Sequence, residues 1–248
     1  MTYLLVHGGG TTARFWDRIL PFLDQPVFAV DLPGRNGKPG DLATLTVEAE
    51  EASVVADVEA AGLQDPIILV AHSSGGLVVP GVVARLKGRV AHVVLNGALI
   101  PPEGGCALDC MRPRHREGLS AAWEQARQAG TVITLPGPPA NPESFRLAYG
   151  GEPLDDAALA YMTDPVRCVQ DALNHYFLPV RWSAAADVPV TYILNEKDRP
   201  VPVELQEEMI TRLPHPATVI RLDTGHLPAV TEPRRFAEVL AGISRMYG

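Results

Sequence analysis

The run from Ile67 to Gly76, IILVAHSSGG, constrains this chain more than any other stretch. Its first five residues are apolar without alternation, the pattern of a short strand buried on both faces of a parallel sheet. His72, Ser73 and Ser74 precede the pair Gly75 and Gly76, after which Leu77, Val78, Val79, Val82 and Val83 resume a pattern suited to a packed helix. A strand, a sharp turn and a helix with a hydroxyl at the apex make a nucleophile elbow. Strand and helix approach closely there, so small residues are required two positions before and two after the nucleophile. Ala71, in place of the usual first glycine, and Gly75 meet that need around Ser73, whereas centring on Ser74 puts His72 where a small residue belongs. Ser73 is the candidate nucleophile. The competing reading is an ordinary strand-to-helix turn, so the rest of the chain must supply the chemistry.

Around the elbow, strands and helices alternate. Tyr3 to Val6 is a short strand running into His7 and the glycines Gly8, Gly9 and Gly10, which free the backbone to turn and expose amide N–H groups. A phosphate cradle is disfavoured, because neither GKS/GKT nor GxGxxG spacing follows. Thr12 to Leu23 reads as a helix, Val27 to Val30 as a strand, and Thr46 to Ala61 as a helix with Glu48, Glu50 and Glu51 near its positive end. Arg35 and Lys38 in the intervening loop read as solvated charges. Val90 to Leu95 adds a strand; after the interruption, Val188 to Leu194, helix Val203 to Leu213, strand Ala217 to Leu222 and a helix beginning at Pro233 restore the rhythm. This spacing predicts a parallel sheet with helices on both faces. Between Pro101 and about Ser183 it breaks into helix-like pieces, Leu119 to Gln128 and Asp155 to Tyr161, among Pro102, Pro113, Pro136, Pro138, Pro139, Pro142 and Pro153. An insertion of this kind suggests a helical cap, 101–183, on a core of 1–100 and 184–248.

A serine hydroxyl is a poor nucleophile unaided and needs a base. His226 follows the last strand in a Gly-His turn, at the carboxyl edge of the sheet where sites in open α/β folds collect. Its orienting acid is expected to be Asp198, in the loop after the penultimate strand, with Glu196 as the serious rival and Asp223 too near His226 in sequence to serve. The backbone N–H groups of Ser74 and Gly9 are the expected oxyanion donors. Trp123, Phe145, Tyr161, Tyr176, Phe177 and Trp182 in the insertion, with Gly10 and Leu227 beside the site, are the expected pocket residues, although aromatics so spaced also pack a cap internally.

Composition narrows the setting. A chain of 248 residues that is 46% hydrophobic can build a full core, and a net charge of -8 disfavours nucleic acid or an anionic membrane as partner. Cys106, Cys110 and Cys168 make no disulfide framework and, with no HExxH among the histidines, no catalytic metal is expected. The opening MTYLLVHGG carries no basic start and no long apolar run, so neither signal peptide nor membrane span is expected and a cytoplasmic setting fits. No cofactor is implied; a homodimer is left open.

Taken in order, LVHGGG, DLPGRN, AHSSGG, KD followed by VP, and GHLPAVTEP resemble the α/β-hydrolases across nearly the whole chain. The chain is most similar to the small group of plant methylesterases, hydroxynitrile lyases and cofactor-free bacterial esterases, where an HG turn precedes an aromatic helix start, here Phe15 and Trp16. The resemblance implies a mostly parallel sheet with a helical cap and the order Ser73, Asp198, His226 for a catalytic triad. Ser73 departs from the Asp nucleophile of haloalkane dehalogenases and epoxide hydrolases, and Leu227 from the Lys that follows the catalytic His of hydroxynitrile lyases. The expected activity is hydrolysis of a small, apolar carboxylic ester or lactone. C–C bond hydrolysis, lyase or cofactor-free oxygenase chemistry, and ligand binding with vestigial catalysis, are the alternatives.

Overall fold

A computed structural model describes residues 1–135, 141–150 and 155–247. Pro136, Pro138, Pro139 and Pro153 lie outside the described residues. The main sheet contains β1 (Thr2–Val6), β2 (Val27–Val30), β3 (Ile67–His72), β4 (Val90–Asn96), β7 (Val190–Asn195) and β8 (Thr218–Leu222), in the order β2-β1-β3-β4-β7-β8 with every neighbouring pair parallel. Two further strands, β5 (Thr134–Leu135) and β6 (Asp171–Ala172), form a small antiparallel ribbon inside the insertion, which was expected to be wholly helical. Helices α1 (Val47–Ala60), α2 (Val79–Arg85), α6 (Val203–Ile210), α7 (Pro228–Thr231) and α8 (Pro233–Tyr247) belong to the alternating part, and α3 (Pro113–Ala129), α4 (Pro142–Tyr149) and α5 (Asp156–Thr163) to the insertion.

Because side chains alternate across a strand, each continuous apolar strand feeds two cores. Leu4, Val6, Ile67, Leu69, Ala71, Val93 and Leu95 pack on one face with Val54 and Val58 of α1 and Val79 and Val82 of α2. Tyr3, Leu5, Ile68, Val70 and Val94 pack on the other with Phe15, Trp16 and Phe236, Leu240 and Ile243 of α8. The amphipathic last helix and the valine-rich helix after the elbow thus cover opposite sides. The fold is an α/β arrangement with helices on both faces, as expected.

Register aligns the carboxyl ends: Val6 lies beside Ala71, His72 beside Asn96, and Asn195 beside Leu222. The glycine turn, the elbow, the Asp198 loop and the His226 turn leave the sheet along this one edge. At its centre Ser73 has φ +52°, in the left-handed region that a residue with a Cβ enters only under constraint. Gly75 shows what imposes it, since a methyl there would fall 2.6 Å from the His7 carbonyl oxygen and 3.1 Å from that of Val6.

Three local expectations are revised. Thr12 to Leu23 is two 3-10 turns, Ala13–Trp16 and Leu20–Phe22, because Pro21 has no N–H to continue a helix and Thr12 caps the first turn through its side chain. The helix after the elbow begins as a 3-10 turn, Ser73–Val78, before widening to α2. Arg35 is not solvated: it is 1% exposed and ion-paired with Asp171 and Glu50, whereas Lys38 pairs with Asp57 in a partly exposed position.

Several histidines are buried. Desolvation, the first cause in each case, lowers His7, His92 and His175 to about 4 from an ordinary value near 6.5. They stay neutral in the folded chain while the unfolded chain takes up protons below pH 6.5, so their contribution to stability is intact above 6.5 and is lost as pH falls through about 4. The urea midpoint should drop between these pH values, with His92→Gln flattening part of the slope; a midpoint independent of pH would contradict the buried neutral state. Gly75→Ala should lower stability by about 1–3 kcal/mol through overpacking, and an unchanged urea midpoint would show that β1 and the elbow do not meet as closely as described.

Candidate active site

The loop that leaves β7 brings Asp198 to the turn that leaves β8. His226 Nδ1–H donates to Asp198 Oδ2 at 2.6 Å, and Val201 N–H donates to Asp198 Oδ1 at 2.8 Å, so both carboxylate oxygens are engaged. A carboxylate can only accept, which puts a proton on Nδ1, so that the neutral ring has its lone pair on Nε2. Asp198 and His226 are both buried, and an isolated bridge joins Asp198 to Gly150. Gly97, just past β4, opens the space they occupy: a methyl there would stand 3.0 Å from Asp198 Oδ2 and 3.5 Å from His226 Nδ1, at φ +49°.

The rival acids point elsewhere. Glu196 is exposed and pairs with Arg221 at 3.4 Å, and Asp223 pairs with Lys197 at 3.1 Å. Beneath the His-Asp pair runs a buried amide network, in which Asn195 Nδ2–H donates to Asn96 Oδ1 and Thr224 Oγ1–H donates to Asn195 Oδ1. It joins the ends of β4 and β7 to the turn after β8, so the loops carrying Asp198 and His226 share one polar foundation.

His226 is held through its backbone as well. His72 Nε2–H donates to the His226 carbonyl at 2.9 Å, and His226 N–H donates to the Tyr149 carbonyl at 3.0 Å. Burial, with His226 next in importance, keeps His72 well below the usual imidazole value, and its ring stacks on Phe15 at 4.7 Å. It is a neutral strut between the elbow strand and the histidine turn.

On the other side of Ser73 the glycine turn is pinned. His7 Nδ1–H donates to the Gly8 carbonyl at 2.8 Å while His7 Nε2 accepts from Leu32 N–H, and Thr11 Oγ1–H donates to the same Gly8 oxygen at 2.9 Å. The Gly8–Gly9 peptide is trans, so anchoring the Gly8 carbonyl also sets the opposite direction of the Gly9 N–H.

Ser73, His226, Gly9, Gly10, Tyr176 and Leu227 line one cavity of about 350 Å³. Five residues expected at the pocket, Trp123, Phe145, Tyr161, Phe177 and Trp182, do not line it. Trp123 stacks on Phe177 at 4.7 Å beside a separate depression, Tyr161 donates to the Arg14 carbonyl and packs against Arg167, and Trp182 is buried in the core with α2. Aromatic rings in the insertion are mostly used to fasten it down. Phe145, also expected there, is fully buried beside Tyr149.

Ala148, Tyr149, Met162 and Cys168 line the cavity and were not anticipated. A usable signal existed for the first two: Asn141 caps α4 through its side chain and Pro142 occupies its first turn, a helix start spelled NPES. Burial raises the Cys168 thiol to about 12, so it remains neutral. Among the described residues no helix is long and apolar enough to cross a membrane.

Comparison with known proteins agrees with this architecture. Residues 3–239 match the alpha/beta hydrolase family model. A pyrethroid hydrolase of Sphingobium wenxiniae is 25% identical, the match covering 96% of this chain and 85% of that protein. A pimeloyl-[acyl-carrier protein] methyl ester esterase of Aromatoleum aromaticum is 26% identical, covering 98% and 97%. An extracellular alpha/beta-hydrolase from a Paenibacillus species superposes with a TM-score of 0.76 at 23% identity, over 98% of both chains. With a family model spanning almost its entire length and the sheet, elbow and edge loops in register, the chain belongs to the alpha/beta hydrolase family.

Proposed function

We propose that the chain is a serine hydrolase that cleaves a small, apolar carboxylic ester or lactone without a cofactor. The observation that carries the reading is the 2.6 Å bond from His226 to Asp198 at a cavity that His226 shares with the left-handed Ser73. In this reading Ser73 Oγ attacks the carbonyl carbon and its proton passes to His226 Nε2. Asp198 stabilises the imidazolium through Nδ1. The negative charge on the former carbonyl oxygen is received by the N–H groups of Gly9 and Ser74. His226 then gives its proton to the departing alkoxide, leaving an acyl group on Ser73. Water, deprotonated by His226, attacks the acyl carbon; the bond to Ser73 Oγ then breaks, His226 returns its proton to Oγ, and the acid is released.

Three considerations support the substrate class. The cavity is small, and Met162, Tyr149, Leu227 and Ala148 give it an apolar character suited to a short acyl chain. The similar proteins bear the names pyrethroid hydrolase and methyl ester esterase. In this reading the described part of the insertion, which contributes Ala148, Tyr149, Met162, Cys168 and Tyr176 to the lining, serves as a cap over the serine.

Ser73→Ala should reduce kcat for p-nitrophenyl acetate by at least about 10³-fold with an unchanged thermal midpoint, and a fluorophosphonate should label Ser73 only while His226 is present. Turnover surviving in Ser73→Ala, or equal labelling of His226→Ala, would move the chemistry to another residue. Asp198→Asn should cost about 10⁴-fold in kcat, against about fivefold or less for Glu196→Gln; the reverse order would reassign the acid.

A further inference from the structure

A second buried polar cluster lies behind the glycine turn and has no part in the chemistry above. Asp171, on β6 of the insertion, is fully buried, and Arg35 Nη2 donates to its Oδ1 at 2.6 Å and its Oδ2 at 2.7 Å. Arg35 is itself held by the Pro33 carbonyl, which accepts from Nη1 at 2.9 Å. The remaining capacity of the carboxylate is turned on the main chain, because Gly10 N–H donates to Asp171 Oδ2 at 3.0 Å. Nearby backbone completes the strap: Val169 N–H donates to the Gly10 carbonyl at 2.9 Å and Thr12 N–H to the Arg167 carbonyl at 3.0 Å.

This arrangement matters because of where it acts. His7 and Thr11 fix the Gly8–Gly9 peptide, but the next peptide joins two glycines, whose backbone has wide freedom on either side of it. Its direction has to be imposed from outside, and a charge-assisted bond to a buried carboxylate is a strong way to impose it. Asp171 supplies that bond to the N–H of this same peptide, and Val169 holds Gly10 from its carbonyl side. Burial pushes the neighbouring Glu50 upward, and its Oε1 stands 3.5 Å from Arg35 Nη1, farther than Asp171 Oδ1 at 2.6 Å from Nη2.

We propose that Asp171, held by Arg35, is a positioning residue whose bond to the Gly10 amide keeps the glycine turn in the shape that presents the Gly9 N–H to the oxyanion. The inference rests on the acyl-transfer reading of the same site. It makes the insertion a working part of the oxyanion hole as well as a wall of the cavity.

The test compares the parent, Asp171→Ala and Asp171→Asn for kcat and KM with p-nitrophenyl acetate, affinity for a trifluoromethyl ketone, and exchange of the Gly10 amide by NMR. The ketone forms a serine hemiketal whose oxyanion needs the same donors as the transition state. Asp171→Ala should lower kcat by about 10²-fold, leave KM within about threefold, weaken the ketone by the same factor as kcat, and speed Gly10 exchange. Asp171→Asn keeps an oxygen that can accept the Gly10 N–H and should recover about tenfold of the loss. If Asp171→Ala does not fold, the Asp171→Leu, Arg35→Met pair removes the bond without leaving a buried charge and is read in the same way. Folded variants with the parental kcat, or with KM alone raised and ketone affinity intact, overturn the proposal. A parent lacking Ser73-dependent turnover overturns the acyl-transfer reading and the oxyanion role with it. Gly10 exchange equal in parent and variants overturns the clamp itself, so the two failures are distinguishable.

Discussion

Everything at this site depends on how closely β1 and the elbow approach each other. The peptide at Gly75 passes so near the end of β1 that the His7 carbonyl oxygen occupies the space a side chain would need. That contact holds Ser73, the proposed nucleophile, at the apex of a turn close beside the glycine turn. The two cores on either side of the sheet supply the force. The central strands, apolar toward both layers over most of their length, cannot peel away from either without exposing buried surface, which costs roughly 25 cal/mol per Å². The strained φ of Ser73 persists because the surrounding packing over-determines it.

The carboxyl edge of the sheet is also unusually polar for a buried place. Asn96, Asn195, Thr224, His7 and His72 are all buried, and each makes a hydrogen bond to the backbone or side chains around the site, although Asn96 Nδ2 and His72 Nδ1 have no partner. Burying such groups is unfavourable unless they are paired, so mutual satisfaction gives the loops few alternative arrangements. The same reasoning applies with greater force to Arg35 and Asp171, since removing one charge of a buried pair and leaving the other costs about 3–5 kcal/mol.

The elbow was legible because its logic is local: apolar strand, hydroxyl, small residues at fixed offsets. The alternation of strands and helices was legible for a similar reason, since period and length are written in each segment. Asp198 and Glu196 could not be separated that way. They sit two residues apart in one loop, and only the fold directs one inward to His226 and the other outward to Arg221. Arg35 misled for the opposite reason, because a cation in a Gly- and Pro-rich loop looks solvated until a carboxylate 136 positions later is folded onto it. The aromatics of the insertion failed as pocket markers since ring type says nothing about facing: Tyr176 looks into the cavity, while Trp182 fills the core beneath α2.

The hydrogen bonds from Thr12 to Arg167 and from Val169 to Gly10 carry an implication for how such proteins diversify. A segment resting on a core as a detachable cover could be exchanged between relatives with only its hinges matched. Here residues 166–171 are stitched to the first loop of the chain, so the insertion and the glycine turn form one hydrogen-bonded unit. A recombination boundary drawn at the ends of the insertion would cut through that unit, and a transplanted segment would have to bring its own match for Arg35.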